Sequence, residues 1–230
     1  MFLNYGATLI SFSSPDKQGN VEELTMNRTT LDDIVHKSDY FGSTIGRCLL
    51  WIESTCRNAF RIANGQFTLN GTHYQLATNS GSNHNHGGRI GFDKCMWDAE
   101  ITTHADRVSI TFSRYSADKE EGYPGALHVR ATYSITSSNE LDMVFEASGN
   151  EIPTIVNMTN HAYWNLSGNC KRPVNNHVRL YYSFNPETLH RFGFLSGWRK
   201  HGQLSSTLLN IRFQTRLPSP SKTRSWTSPR

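Results

Sequence analysis

Apolar and polar residues alternate along several stretches of the chain with the period of two that a half-buried strand requires. Arg107-Val108-Ser109-Ile110-Thr111-Phe112-Ser113 and Leu127-His128-Val129-Arg130-Ala131-Thr132-Tyr133-Ser134-Ile135 are the clearest cases. Leu141-Asp142-Met143-Val144-Phe145-Glu146-Ala147 follows a Ser-Ser-Asn turn, and a further β-rich run covers residues 154–159. Near the start, residues 2–12 are rich in β-formers and stop at the turn signal Ser14-Pro15-Asp16. Residues 66–76 predict a hairpin, because two short runs flank Asn70-Gly71, the strongest short-range hairpin signal. Helical patterning is confined to residues 30–35, enough for one or two turns. Many short strands with little helix between them predict an all-β sandwich or barrel, and no repeat at solenoid or propeller spacing is present.

Two segments depart from this pattern. Residues 48–56 form a short apolar block between glycine- and arginine-bearing stretches. From about Gly197 the chain lacks clear periodicity, carries Leu217-Pro218-Ser219-Pro220-Ser221 and contains no acidic residue, so 197–230 is predicted to be a mostly disordered basic tail. Charge sharpens the division. Eight Lys or Arg and no Asp or Glu lie after Glu187, while the first 187 residues hold fifteen basic against nineteen acidic residues. The body is therefore mildly acidic despite a net charge of +4, which argues against specific nucleic-acid binding.

Composition removes further classes. Charged residues make up 18% of the chain, too few for a long-helix or coiled-coil protein, and aromatics at 11% supply bulk for a core. No apolar run approaches the roughly 18 residues of a membrane span, and the first nine residues do not read as a signal peptide. A cytoplasmic protein is expected, its four cysteines (Cys48, Cys56, Cys95, Cys170) free thiols with no C-x-x-C pair among them.

Candidate chemistry concentrates in two histidine clusters, Asn83-His84-Asn85-His86-Gly87-Gly88 and Asn157-Met158-Thr159-Asn160-His161-Ala162-Tyr163-Trp164-Asn165-Leu166. A histidine before Gly-Gly lies where backbone can approach a ligand closely, and imidazole exchanges protons near neutral pH. Asparagines and an arginine nearby suit hydroxyl groups, and Tyr163 and Trp164 offer flat faces that match the C–H face of a sugar ring. A metal reading rests only on the i, i+2 spacing of His84 and His86, which no carboxylate or cysteine completes. No metal and no cofactor is expected.

In order along the chain, Asn4-Tyr5-Gly6-Ala7-Thr8-Leu9, Tyr40-Phe41-Gly42-Ser43-Thr44-Ile45-Gly46-Arg47, Arg61-Ile62-Ala63-Asn64-Gly65, the first histidine cluster, Gly91-Phe92-Asp93-Lys94-Cys95-Met96-Trp97, Glu120-Glu121-Gly122-Tyr123-Pro124-Gly125 and the second histidine cluster closely resemble the aldose 1-epimerase (galactose mutarotase) family. The resemblance covers roughly residues 2–189. It implies a large antiparallel β-sandwich with a sugar site in a cleft across one face, and interconversion of the α and β anomers of aldoses such as galactose and glucose. It implies catalytic roles for His161, as general acid, and His86. It places Arg61 among the substrate ligands, with Asn83, Asn160 and Trp164 as further candidates from the clusters.

The resemblance also has departures. The family's general base is a glutamate late in the chain, and no residue here carries it, since the last acidic residue is Glu187 in what resembles an ordinary surface segment. Residues 48–57 read as an insert, because removing them restores a continuous family motif from Gly46 to Ala63. The expected organisation is a partial mutarotase-like domain over 1–196, incomplete in its C-terminal third, and the tail 197–230. Alternatives to an active epimerase are a non-catalytic sugar-binding relative and an unstable truncated product.

Overall fold

The period-two stretches become the long strands of one sheet. The computed structural model describes residues 1–174 apart from 17, 29, 38, 48–60 and 150–151, together with a strand at 209–214. The strands are β1 (Phe2–Leu3), β2 (Thr8–Leu9), β3 (Ser13–Pro15), β4 (Val21–Glu23), β5 (Thr25–Met26), β6 (Thr44–Gly46), β7 (Arg61–Ile62), β8 (Gln66–Leu69), β9 (Thr72–Gln75), β10 (His84–Asn85), β11 (Asp98–Thr103), β12 (Arg107–Ser116), β13 (Leu127–Thr136), β14 (Glu140–Gly149), β15 (Met158–Asn160), β16 (Tyr163–Trp164) and β17 (Leu209–Gln214). The helix α1 (Leu31–His36) starts where Thr30 caps it, its hydroxyl accepting from the Asp33 N–H at 3.1 Å.

Strands β11-β12-β13-β14-β17 form an antiparallel sheet in that order, and the remaining pairs are two-stranded and antiparallel. The expected all-β, antiparallel architecture is therefore present. In β13 and β14 the alternation has a physical result: Leu127, Val129, Ala131 and Tyr133 are buried, as are Leu141, Met143, Phe145 and Ala147. These side chains pack in one cluster with Ala7, Leu9, Phe92, Trp97 and Met158, so β2, β15 and the 92–97 loop cover one face of the sheet. The opposite face carries hydroxyl pairs, Ser109 with Ser134 at 2.8 Å and Thr111 with Thr132 at 3.1 Å. A second cluster gathers Ile45, Ile62, Phe67, Leu69, Leu76, Tyr123 and Ile155. Between the clusters, the buried Arg47 guanidinium donates to Ser116 at 3.0 Å and to the Gly125 carbonyl, and lies 5.5 Å over the Tyr123 ring.

Several differences from the sequence reading have local causes. The hairpin at 66–76 forms as β8 and β9, with Asn70 and Gly71 both at positive φ as its turn requires. The run at 2–12 divides into β1 and β2, because Gly6 and Ala7 adopt positive φ and turn the chain. Of 154–159 only the end enters a strand, β15. Within the tail expected to be disordered, Leu209–Gln214 pairs antiparallel with β14, Met143 opposite Ile211. The insert at 48–57 lies outside the described residues. No helix among those described is long and apolar enough to cross a membrane.

Candidate active site

Two short ladders bring the histidine clusters together. β10 pairs with β7, Asn85 opposite Arg61, and the chain leaves β10 directly into His86. β15 pairs with β6, and His161 follows it, its N–H donating to the Ser43 carbonyl at 2.8 Å while its own carbonyl accepts from Gly42 at 3.2 Å. Their imidazoles meet edge to face, with centroids 5.2 Å apart.

Aromatic rings flank this pair. Tyr40 lies 4.6 Å from His86 and 5.8 Å from His161, and Tyr163 lies 5.0 Å from His161. Phe41 packs edge-on to Tyr163 at 4.8 Å. A cation sits at each end of the row, Lys94 5.1 Å over Tyr40 and Arg28 5.2 Å over Phe41. Asp93, 6% exposed, holds the Lys94 ammonium at 2.6 Å.

The two imidazoles are biased toward their neutral forms. Burial pushes His86 down to about 4, helped by His161, Arg61 and Lys94. Burial also lowers His161, where the Asp93 carboxylate works in the opposite direction. Burial disfavours the Lys94 charge too, but Asp93 outweighs it and the ammonium is held above its ordinary range.

The sequence candidates separate into those that meet here and those that do not. His86 and His161 meet, and Arg61 lies across β7–β10 on an exposed position close enough to act on His86. Asn83 sits at the Ser80–Asn83 turn, where its Oδ1 accepts from the Asn64 N–H at 3.3 Å. Asn160 is engaged by the scaffold: its amide donates to the Gly42 carbonyl at 2.5 Å and to the Tyr133 hydroxyl at 3.1 Å, and its Oδ1 accepts from the Ala162 N–H at 2.9 Å. Trp164 packs edge-on to Phe12 at 5.7 Å and against the main core. Neighbours on a strand point to opposite faces, so of the two flat faces the sequence offered on β16 it is Tyr163, 42% exposed, that lies beside His161.

The i, i+2 reading of His84 and His86 fails for a similar reason. His84 is fully buried, with Nδ1 2.7 Å from the Ala77 carbonyl and Nε2 2.7 Å from the Tyr123 hydroxyl. Left-handed backbone at His86 (φ 51°) ends the strand alternation and turns its ring elsewhere. Sequence reasoning passed over Tyr40, Asp93 and Lys94, although all three stand in the motif blocks. Nothing local in the sequence says that 40 and 94 approach 86 and 161.

Comparisons with known proteins point to one family. The family model described as Aldose 1-epimerase matches residues 1–190. The chain is 39% identical over 166 residues to the galactose mutarotase of Sus scrofa, covering 72% of this chain and 44% of that protein. It is 36% identical over 175 residues to the galactose mutarotase of Homo sapiens, covering 76% and 46%. With the aldose 1-epimerase of Escherichia coli (strain K12), it is 34% identical over 175 residues, with the same coverage of 76% and 46%. Among solved structures, the GalM/aldose epimerase homologue from C. elegans superposes with a TM-score of 0.60 at 31% identity, over 71% of this chain and 46% of that one. The galactose 1-epimerase from Lactobacillus acidophilus gives 0.60 at 30% identity, over 72% and 45%. The chain spans less than half the length of each of these proteins.

Proposed function

The chain belongs to the aldose 1-epimerase family, and from that premise we propose that the histidine pair interconverts the α and β anomers of hexoses such as galactose and glucose. The observation that carries the proposal is the meeting of His86 and His161, 75 positions apart in sequence, at 5.2 Å beside a row of aromatic rings. Anomer exchange needs a proton delivered to the ring oxygen as the C1–O5 bond breaks, and a proton removed from the C1 hydroxyl. Rotation about C1–C2 and reversal of both transfers give the other anomer. His161, as imidazolium, delivers the first proton, and the C1 hydroxyl gives its proton to solvent water. A lowered basicity makes its charged form scarcer at neutral pH but a stronger acid when present. His86, neutral at that pH, and Arg61 hold sugar oxygens, and Tyr163 presents its face to the sugar's C–H groups. Proton transfers of this kind require neither metal nor cofactor, and a cytoplasmic setting suits a soluble hexose.

A second reading is favoured by one feature of the site. Asp93, the carboxylate that acts on His161, is 6% exposed and held by the Lys94 ammonium, so it is not free to take a proton from a sugar. The pair would then grip a hexose without turning it over. Polarimetry of freshly dissolved α-D-galactose separates the readings. Catalysis predicts a rate well above buffer that falls about 10²-fold or more in His161→Ala. Saturable galactose binding with a rate equal to buffer establishes the second reading instead.

A further inference from the structure

The backbone around His86 is a run of three consecutive left-handed residues, His86 (φ 51°), Gly87 (φ 92°) and Gly88 (φ 113°). Such a run is unfavourable for a side-chain-bearing residue, so the surrounding structure must impose it. Two side chains do so from opposite sides. Asn79 brackets the entry: its Oδ1 accepts from the Asn85 N–H at 2.7 Å, and its amide donates to the Asn85 carbonyl at 3.0 Å and the Gly88 carbonyl at 2.7 Å. At the exit the Glu121 carboxylate accepts from two successive backbone N–H groups, Arg89 at 3.0 Å and Ile90 at 2.8 Å.

The fit at the exit is close. A Cβ on Gly88 would stand 2.1 Å from Glu121 Oε2, so the carboxylate rests directly on the glycine backbone. On the other flank a Cβ on Gly87 would stand 1.8 Å from the Gly46 carbonyl oxygen. The loop is thus wedged between β6 and Glu121. Glu121 is itself at φ 50°, in the tight turn that follows Lys119 at φ 65°. Two strained segments meet through one carboxylate, and charge-assisted bonds to backbone N–H groups are the stronger kind of hydrogen bond.

We propose that Glu121 is a positioning residue: by clamping the Arg89 and Ile90 amides it fixes the loop that aims His86 at His161. It touches no substrate in this scheme and acts only through the loop. Its part in catalysis rests on the reading of the histidine pair as the active centre. The clamp is independent of that reading. Small displacements of a catalytic group cost much, up to about 10²-fold for about 1 Å. Glu121→Gln keeps the volume but replaces one accepting oxygen by an NH₂ that faces an N–H donor, and Glu121→Ala removes both acceptors. Arg89→Ala, which leaves the backbone donor in place, is the control.

The test combines polarimetry on α-D-galactose with backbone and imidazole ¹H–¹⁵N spectra of the full chain. Expected are a loss of about tenfold or more in kcat/KM for both Glu121 variants, near-parental values for Arg89→Ala, and upfield movement of the Arg89 and Ile90 amides together with a shift of the His86 imidazole resonances. Clamp amides that stay in place in Glu121→Ala overturn the proposal, and so do displaced amides beside an unmoved His86 imidazole. If the parent lacks mutarotase activity, the proposed reaction fails on that measurement, and the amide and His86 resonances still decide whether Glu121 positions the loop.

Discussion

His86 joins a left-handed backbone to a half-buried imidazole, and the second property has a consequence for stability. Its folded form binds a proton only near pH 4, whereas in the unfolded chain the ring titrates at its ordinary 6.5. Between those values the unfolded state binds the extra proton, so stability is fully present above about pH 6.5 and declines as pH falls toward 4. The full shift corresponds to about 3 kcal/mol, and solvent at the partly exposed ring screens this to about 2 kcal/mol. Urea unfolding at pH 7 and 4.5 should therefore show the parent losing about 2 kcal/mol more than His86→Phe. Equal losses would refute the assignment of the acid sensitivity to this ring. Activity has a second limb. The imidazolium of His161 is depleted as pH rises through a value below 6.5, so kcat should fall on the alkaline side from slightly acid pH upward, while protonation of His86 limits the acid side near pH 4. A pH–rate profile still climbing at pH 8 would count against His161 as the acid.

Strand β16 shows how an element sorts two similar residues into different work. Tyr163 faces His161 and Trp164 faces Phe12 and the core, because successive side chains on a strand alternate. Tyr163→Ala should raise the KM for galactose about tenfold and leave the urea midpoint almost unchanged. Trp164→Ala should cost about 2–3 kcal/mol of stability and move KM little, the loss scaled down from full burial because the ring is only partly buried. A KM effect confined to Trp164 would reverse the assignment. The same element marks what could be read in advance. The long strands β12, β13 and β14 were legible because each carries its own period-two pattern, and the β8–β9 hairpin because Asn70-Gly71 names its turn type. The histidine clusters were legible as motif blocks. Tyr40, Lys94 and the choice of Tyr163 over Trp164 were not, since each depends on contacts across 46 or more positions or on the phase of a two-residue strand. Nor was the engagement of Asn160, whose partners Gly42 and Tyr133 come from distant parts of the chain.

For the whole molecule the decisive feature is where the main sheet ends among the described residues. Its order β11-β12-β13-β14-β17 places a strand from the basic tail against β14, with Leu141, Met143 and Phe145 opposite Phe213, Ile211 and Leu209. Leu209, Ile211 and Phe213 alternate with Asn210, Arg212 and Gln214, a period-two stretch as regular as those of the interior strands, within a region whose composition reads as disordered. Local alternation prevailed over regional composition because a strand needs only six residues and a partner ladder. Without β17, residues 140–145 of β14 would present a row of unpaired N–H and C=O groups on a strand whose buried face is strongly apolar, and such an edge is a template for pairing with another chain. Shortening the chain to residues 1–208 should therefore lower its soluble concentration and raise light scattering on standing at micromolar concentration, with a thioflavin-responsive fraction. The histidine pair, built from β6, β7, β10 and β15 on the other layer, should keep its imidazole resonances in whatever fraction stays monomeric. A shortened chain as soluble as the parent would show that β14 tolerates an open edge and that the tail strand is dispensable to the sheet. A soluble but displaced histidine pair would instead tie the site to the sheet edge through the shared core of Leu9, Met158 and Phe145.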